Sequence, residues 1–334
     1  MRKLLALLLI LVAVAGAALG AAWWWTTQPL PLVAEQVEIS IPSGASLRTA
    51  AGKAVEGGVR TQPELLHWYF RLAGREQTIK PGDYAVTRGM TPSDLLGKLI
   101  RGERIVLTVT LVEGWSFQQF RAALAKAEHL RPDTQAMSAA ELMKTLGKPG
   151  LAPEGRFFPD TYHYFKNASD VDVLRQSMRL MERRLAAAWD ARAPGLPLKN
   201  ADEALILASI VEKETGQAAD RPEIAGVFIN RLRIGMRLQT DPTVIYGLGE
   251  RFDGDLKRSH LTTDTPFNTY TRAGLPPTPI AMPGKASLMA AVQPAPTKAL
   301  YFVARGDGSS HFSPSLDEHN RAVNKYQRGG GGAN

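Results

Sequence analysis

The sequence predicts an α+β protein behind a single membrane-spanning helix, and three observations carry that prediction. An uncharged apolar run fills Leu4 to Trp25. Short alternating segments then interleave with helical ones, and later an almost wholly apolar helix ends in two carboxylates. With 334 residues, 44% hydrophobic and 22% charged, the chain can bury a sizeable core in about two domains.

The apolar run comes first. At about 1.5 Å per residue it is long enough for a bilayer core of about 30 Å. Arg2 and Lys3 on its short side place the N-terminus (1–3) in the cytoplasm, with a spanning helix at 4–25 and Trp23, Trp24 and Trp25 in an interfacial belt. Everything beyond then faces outward. A cleaved signal peptide is the competing reading, because Ala18-Leu-Gly20 is an acceptable cleavage site, but the apolar run continues past it. Residues 26–37, with Pro29 and Pro31, read as a short extended linker.

Next, Val37 to Ile41 alternates like a strand, Ser46 to Ala54 and Gln62 to Leu72 are helical in pattern, Gly82 to Val86 is a second strand, and Thr91 to Leu99 a third helix. This defines a small α+β module over 38–104. From 105 a larger mixed α+β domain runs to 327. It opens with a strand at Ile105 to Leu111 and a helix from Ser116 to about His129, and it contains a long helix from Val171 to Trp189. In Pro153 to Tyr162 the aromatics read as core, with Glu154 and Asp160 as carboxylates of interest. The glycines 329–332 read as part of a flexible tail, 328–334.

The chemistry concentrates in Leu207-Ala-Ser-Ile-Val-Glu-Lys-Glu-Thr215. On a helical wheel Ala204, Leu207, Ala208, Ile210 and Val211 share a face that also holds Glu214, while Glu212 falls at its polar edge. Residues two apart point in nearly opposite directions, so the two carboxylates do not flank one bond together. A carboxyl in apolar surroundings is held protonated and can act as an acid, and the wheel therefore favours Glu214 over Glu212.

Other chemistries are disfavoured. There is no cysteine, hence no disulfide framework and no thiol nucleophile. The six histidines show no i+3 or i+4 pair and no HExxH, and neither a phosphate-binding glycine loop nor a GxSxG elbow occurs, so no metal or cofactor is expected. The net charge of +8 comes from dispersed basic residues without a nucleic-acid motif, which fits a basic surface near anionic lipid and no nucleic-acid partner.

Glu212-Lys-Glu-Thr215, the stretch Val227 to Gly247 containing Gln239-Thr-Asp-Pro242, Asn268-Thr-Tyr270 and Gly274-Leu-Pro-Pro277 together resemble the endolytic murein transglycosylase (YceG-like) family in order and spacing, over nearly the whole chain. The resemblance implies an inner-membrane lytic transglycosylase that cuts peptidoglycan glycan strands without water, using Glu214 as the single catalytic acid and base. It further implies peptidoglycan synthases (penicillin-binding proteins) as partners and termination of strand elongation as the role. Gln239, Thr240, Asn268 and Tyr270 are amides and hydroxyls suited to stabilising charge on the sugar ring and to holding N-acetyl groups. Asp241 is the residue that could instead complete a two-carboxylate hydrolase, or simply fix the turn before Pro242. Ile79 to Tyr84 and Thr91 to Leu99 resemble the LysM-like subdomain that this family carries, a glycan-binding module. If that module were the working part, the chain would be a non-catalytic peptidoglycan scaffold.

Overall fold

The computed structural model describes residues 2–73 and 78–328, with side chains from Leu5 onward. The tail expected over 328–334 lies, apart from Arg328, outside the described residues. The chain divides into two compact units, one of Met1–Leu107 with Tyr164–Asn167 and one of Thr108–His163 with Ala168–Asn334.

The N-terminal unit begins with α1 (Arg2–Thr27), whose segment Leu5–Thr27 is long and apolar enough to cross a membrane and buries none of that surface in the protein. Then follow β1 (Gln36–Ile41), α2 (Leu47–Glu56), α3 (Pro63–Ala73), β2 (Gly82–Thr87) and α4 (Pro92–Arg101). Strands β1 and β2 pair antiparallel with Ile39 opposite Tyr84, and period-2 alternation sends Val37, Ile39 and Ile41 inward. Ala50, Ala51 and Ala54 of α2, Leu66 and Phe70 of α3, and Leu95 and Leu99 of α4 complete that core. Helix α4 starts and stops where its sequence dictates. Thr91 and Asp94 form a reciprocal capping box, and Gly102 takes the left-handed conformation (φ 73°) that ends the helix.

The expected linker at 26–37 is corrected. Helix α1 continues to Thr27, Leu30 is buried, Leu32 bridges to Val59, and the Arg60 amide donates to Pro31 O at 2.7 Å. The proline-marked segment has its own apolar anchors, so it packs as part of the unit. Trp25 is also drawn in, edge-on to Tyr69 with ring centroids 6.2 Å apart, whereas Trp23 and Trp24 stay exposed.

β3 (Val106–Thr110) pairs with β4 (Thr161–Phe165). Between them lie α5 (Phe117–Lys126) and α6 (Ala139–Thr145), each opened by a Ser capping box. The expected helix to His129 stops at Lys126, and His129 itself is left-handed (φ 51°). The core of the larger unit is built around α7 (Asp170–Asp190), α8 (Ala201–Glu214), α9 (Arg221–Arg233) and α12 (Lys285–Val292). Two shorter helices, α10 (Asp241–Leu248) and α11 (Arg258–Thr262), come between α9 and α12. The antiparallel hairpin β5 (Tyr301–Ala304) and β6 (Ser310–Ser313) and helix α13 (Leu316–Val323) follow, and a π-helical turn (Asn324–Arg328) closes the described chain.

Helix α8 is buried on every side from Ala204 to Val211, so the single apolar face read from the wheel is too narrow. Its alanines allow α12 to pack closely through Ala290 and Ala291. On α9 a Cβ at Gly226 would fall 2.8 Å from Ala295 O, so only glycine permits that approach.

Candidate active site

Glu214 is the last residue of α8, and the chain turns extended at Thr215. Four influences act on its carboxyl. Burial raises its pKa most, the Thr240 hydroxyl that donates to its Oε1 lowers it, the charge of Asp241 raises it, and Arg231 lowers it, with a net value of about 7. Its position at a helix C-terminus, the negative end of the dipole, also opposes ionisation. A carboxyl so placed holds its proton near neutrality and can release it.

The loop that meets Glu214 is over-determined. Gln239 occupies the left-handed region (φ 49°), an uncommon state for a non-glycine residue that other contacts must hold. Thr269 supplies them. Its carbonyl accepts from the Gln239 amide at 3.1 Å, and its hydroxyl accepts from the Thr240 amide at 3.1 Å and lies 2.9 Å from the Thr243 hydroxyl. Pro242 sits in the first turn of α10, where a missing N–H costs nothing. Asp241, at the positive end of the same helix, accepts from the Tyr270 hydroxyl at 2.6 Å, and burial together with Asp241 pushes that phenol's pKa up.

Glu214, Gln239, Asp241 and Tyr270 therefore come together along one cleft of about 400 Å³. Thr240 is buried behind it and reaches Glu214 only through its hydroxyl. Asn268, expected among the substrate contacts, lies apart from these. Its amide donates to the carbonyls of His260, Leu261 and Thr263, its Oδ1 accepts from the Tyr270 amide, and at 1% exposure it does not line the cleft. An asparagine surrounded by loop carbonyls closes the loop and leaves no donor for a ligand.

Glu212 is corrected as well. Its side chain is only 6% exposed, accepts from the Gly284 amide at 2.9 Å and faces Arg221 at 3.8 Å. Glu113, which the sequence did not single out, presses so closely on Gly284 that a Cβ there would clash, and burial plus the Glu212 charge raise its pKa. This group ties the end of α8 to the loops at 113 and 284. It is a structural carboxylate cluster, and Glu212 is bound into it.

Arg231 is the larger omission. Buried at 7% exposure, it donates to Leu238 O at 2.6 Å and to Leu300 O at 2.7 Å, and so fixes the Gln239 loop against the start of β5. It shares the buried face of α9 with Ile224 and Phe228, and a charge falling on that apolar period was the available signal. Glu154 lies in a second pocket of about 730 Å³. It accepts from the Phe117 amide at 3.0 Å and from the Tyr246 hydroxyl at 3.2 Å, and burial pushes it to about 7. Asp160 accepts from the Thr161 amide on the surface. No group of metal-ligating side chains occurs among the described residues.

The fold and cleft define an α+β protein with a carboxyl of raised pKa opening onto a polar groove. Residues 39–325 match the profile of the YceG-like family, and the chain belongs to that family. It is 30% identical over 312 residues to the endolytic murein transglycosylase of Bacillus subtilis (strain 168), covering 87% of this chain and 84% of that relative. The endolytic murein transglycosylase of Streptococcus pneumoniae (serotype 2) is 25% identical over 325 residues, where the chain spans 58% of the relative's length. A crystal structure of a YceG-like protein from Listeria monocytogenes aligns with a TM-score of 0.55 and 27% identity, covering 86% of this chain and 98% of that one.

Proposed function

We propose that this chain is a membrane-anchored endolytic lytic transglycosylase that cleaves the MurNAc–GlcNAc bond of nascent peptidoglycan and leaves 1,6-anhydroMurNAc ends. The observation that carries the reading is the Glu214 carboxyl, held near pKa 7 at a cleft that also holds Gln239, Asp241 and Tyr270 of the same family signature. Its proton goes to the departing glycosidic oxygen as the C1–O bond breaks. The carboxylate left behind takes the proton of the muramic acid C6 hydroxyl, and that oxygen closes on C1. Atoms balance without water, and Glu214 returns to its protonated state. Gln239, Tyr270 and Asp241 face the reacting sugar, while Thr240 sets the carboxyl's position and acidity and Asn268 holds the loop. Asp241 could alternatively activate a water and make the enzyme a hydrolase.

Residues 4–25 are the anchor, which puts residues 105–327, the catalytic domain, in the periplasm beside the synthases whose strands it would end. The β1–α2–α3–β2 order of the module at 38–104 supports the LysM-like reading and a role in holding glycan. The deciding experiment is mass spectrometry of peptidoglycan digested by the wild-type chain and by Glu214→Gln. Anhydro products that vanish in the variant are expected, and products heavier by one water would assign the hydrolase. A Glu214→Gln chain with full function in cells would favour a non-catalytic scaffold.

A further inference from the structure

We propose that the C-terminal hairpin and α13 form the saccharide-stacking wall of the Glu214 cleft, with the His319 ring, backed by Tyr301, as the platform for one pyranose ring and Phe302 and Leu316 as its apolar margin. This rests on the function proposed above and names part of the cleft that the family signature does not reach. Four residues of these elements line the same cleft as Glu214. Tyr301 and His319 are stacked, with centroids 5.2 Å apart and planes at 24°, and the Arg231 guanidinium lies over the Tyr301 ring at 5.2 Å, so Tyr301 serves as the backing of the imidazole. The His319 Nδ1 is buried without a hydrogen-bond partner, and Leu316 is 54% exposed.

The chemistry and the rigidity of this wall suit it to binding sugar. Flat rings beside exposed aliphatic carbon suit the C–H face of a sugar, and a cleft of about 400 Å³ is within the usual range of about 300–1,000 Å³ for ligand sites. None of the four residues is a carboxylate, so the wall carries no negative charge of its own. Its distance from the acid is also fixed. Arg231 bonds the Gln239 loop and Leu300 together, and Asn230 donates to Thr297 O at 2.8 Å and Ala299 O at 3.1 Å on the approach to β5. Burial and the Arg231 charge lower the His319 pKa, so the ring is neutral near pH 7 and adds no second cation to the cleft.

The test uses the full chain in detergent. Calorimetry in the Glu214→Gln background measures binding of an uncut GlcNAc–MurNAc tetrasaccharide, while KM and kcat on peptidoglycan are read with Glu214 intact. His319→Ala is expected to weaken binding about tenfold and to raise KM with little change in kcat. His319→Phe, which keeps a flat ring, should restore binding to within about threefold, and Leu316→Ala, at an exposed position, should cost about threefold without lowering the melting temperature. A His319→Ala chain that binds as its parent, a His319→Phe chain as weak as His319→Ala, or a Glu214→Gln chain that does not bind the tetrasaccharide overturns the wall. Failure of the proposed function shows separately, as a wild-type chain that leaves peptidoglycan uncut.

Discussion

Glu214 and Glu154 are buried carboxyls in the same unit, each pushed to about pKa 7 mainly by burial, yet their surroundings differ. Glu154 accepts from a backbone amide at the first residue of α5 and from the Tyr246 phenol, groups that pin it and satisfy a helix N-terminus. Glu214 accepts from one hydroxyl, sits at a helix C-terminus and opens into the signature cleft. A raised pKa marks both residues, so it does not identify the acid by itself. What separates them is whether the carboxyl's partners need it for the fold.

The largest effect should fall on one side of this comparison only. Glu214→Gln is expected to lower strand cleavage by about 10²–10⁴-fold with a melting curve unchanged at pH 5, where the native carboxyl is protonated, while Glu154→Gln keeps the rate within about threefold. Equal losses from the two variants, read as muropeptide release, would break the distinction. Stability against pH should then unite them. Each group binds its proton more tightly folded, near pKa 7, than unfolded, near 4.5, so its contribution is complete below about pH 4.5 and is lost as pH rises through about 7. For Glu154 this amounts to roughly 3 kcal/mol at most, and to less for Glu214 beside its cleft. Urea unfolding at pH 5 and pH 8 should show a smaller difference in either Gln variant and the smallest in the double variant.

Glu154→Ala should cost about 1–3 kcal/mol by orphaning the Phe117 amide, whereas Glu214→Ala leaves no backbone group without a partner, a contrast measurable by denaturant titration. The smallest effects tune Glu214 alone. Asp241→Asn removes a charge that raises the Glu214 pKa and should move the alkaline limb of the activity profile to lower pH. Thr240→Val removes a hydrogen bond that lowers it and should move that limb to higher pH. Shifts in the same direction would show that Glu214 is not the titrating acid.

How far the sequence reached follows from where each signal lies. Helix α8 and the β1/β2 alternation were readable because 3.6- and 2-residue periods are local. The wheel put Glu214 on the apolar face and Glu212 at its polar edge, and it could not show the burial of Glu212 because its partners Arg221 and Gly284 come from other segments. Asn268 looks like a sugar ligand in sequence, and only the folded loop shows three carbonyls around its amide. Tyr301 and His319 lie on a four-residue strand and an eight-residue helix, too short for a periodic signal, and they meet Glu214 only through the Arg231 clamp.

The buried Leu30 has a mechanical meaning. Two residues, Gln28 and Pro29, separate it from the end of α1 at Thr27, a reach of no more than about 11 Å even fully extended. With α1 as a membrane anchor, the N-terminal unit rides on a short leash at the bilayer face. Under the anchor proposed above, the glycan that this unit would meet first is glycan that has only just left the membrane.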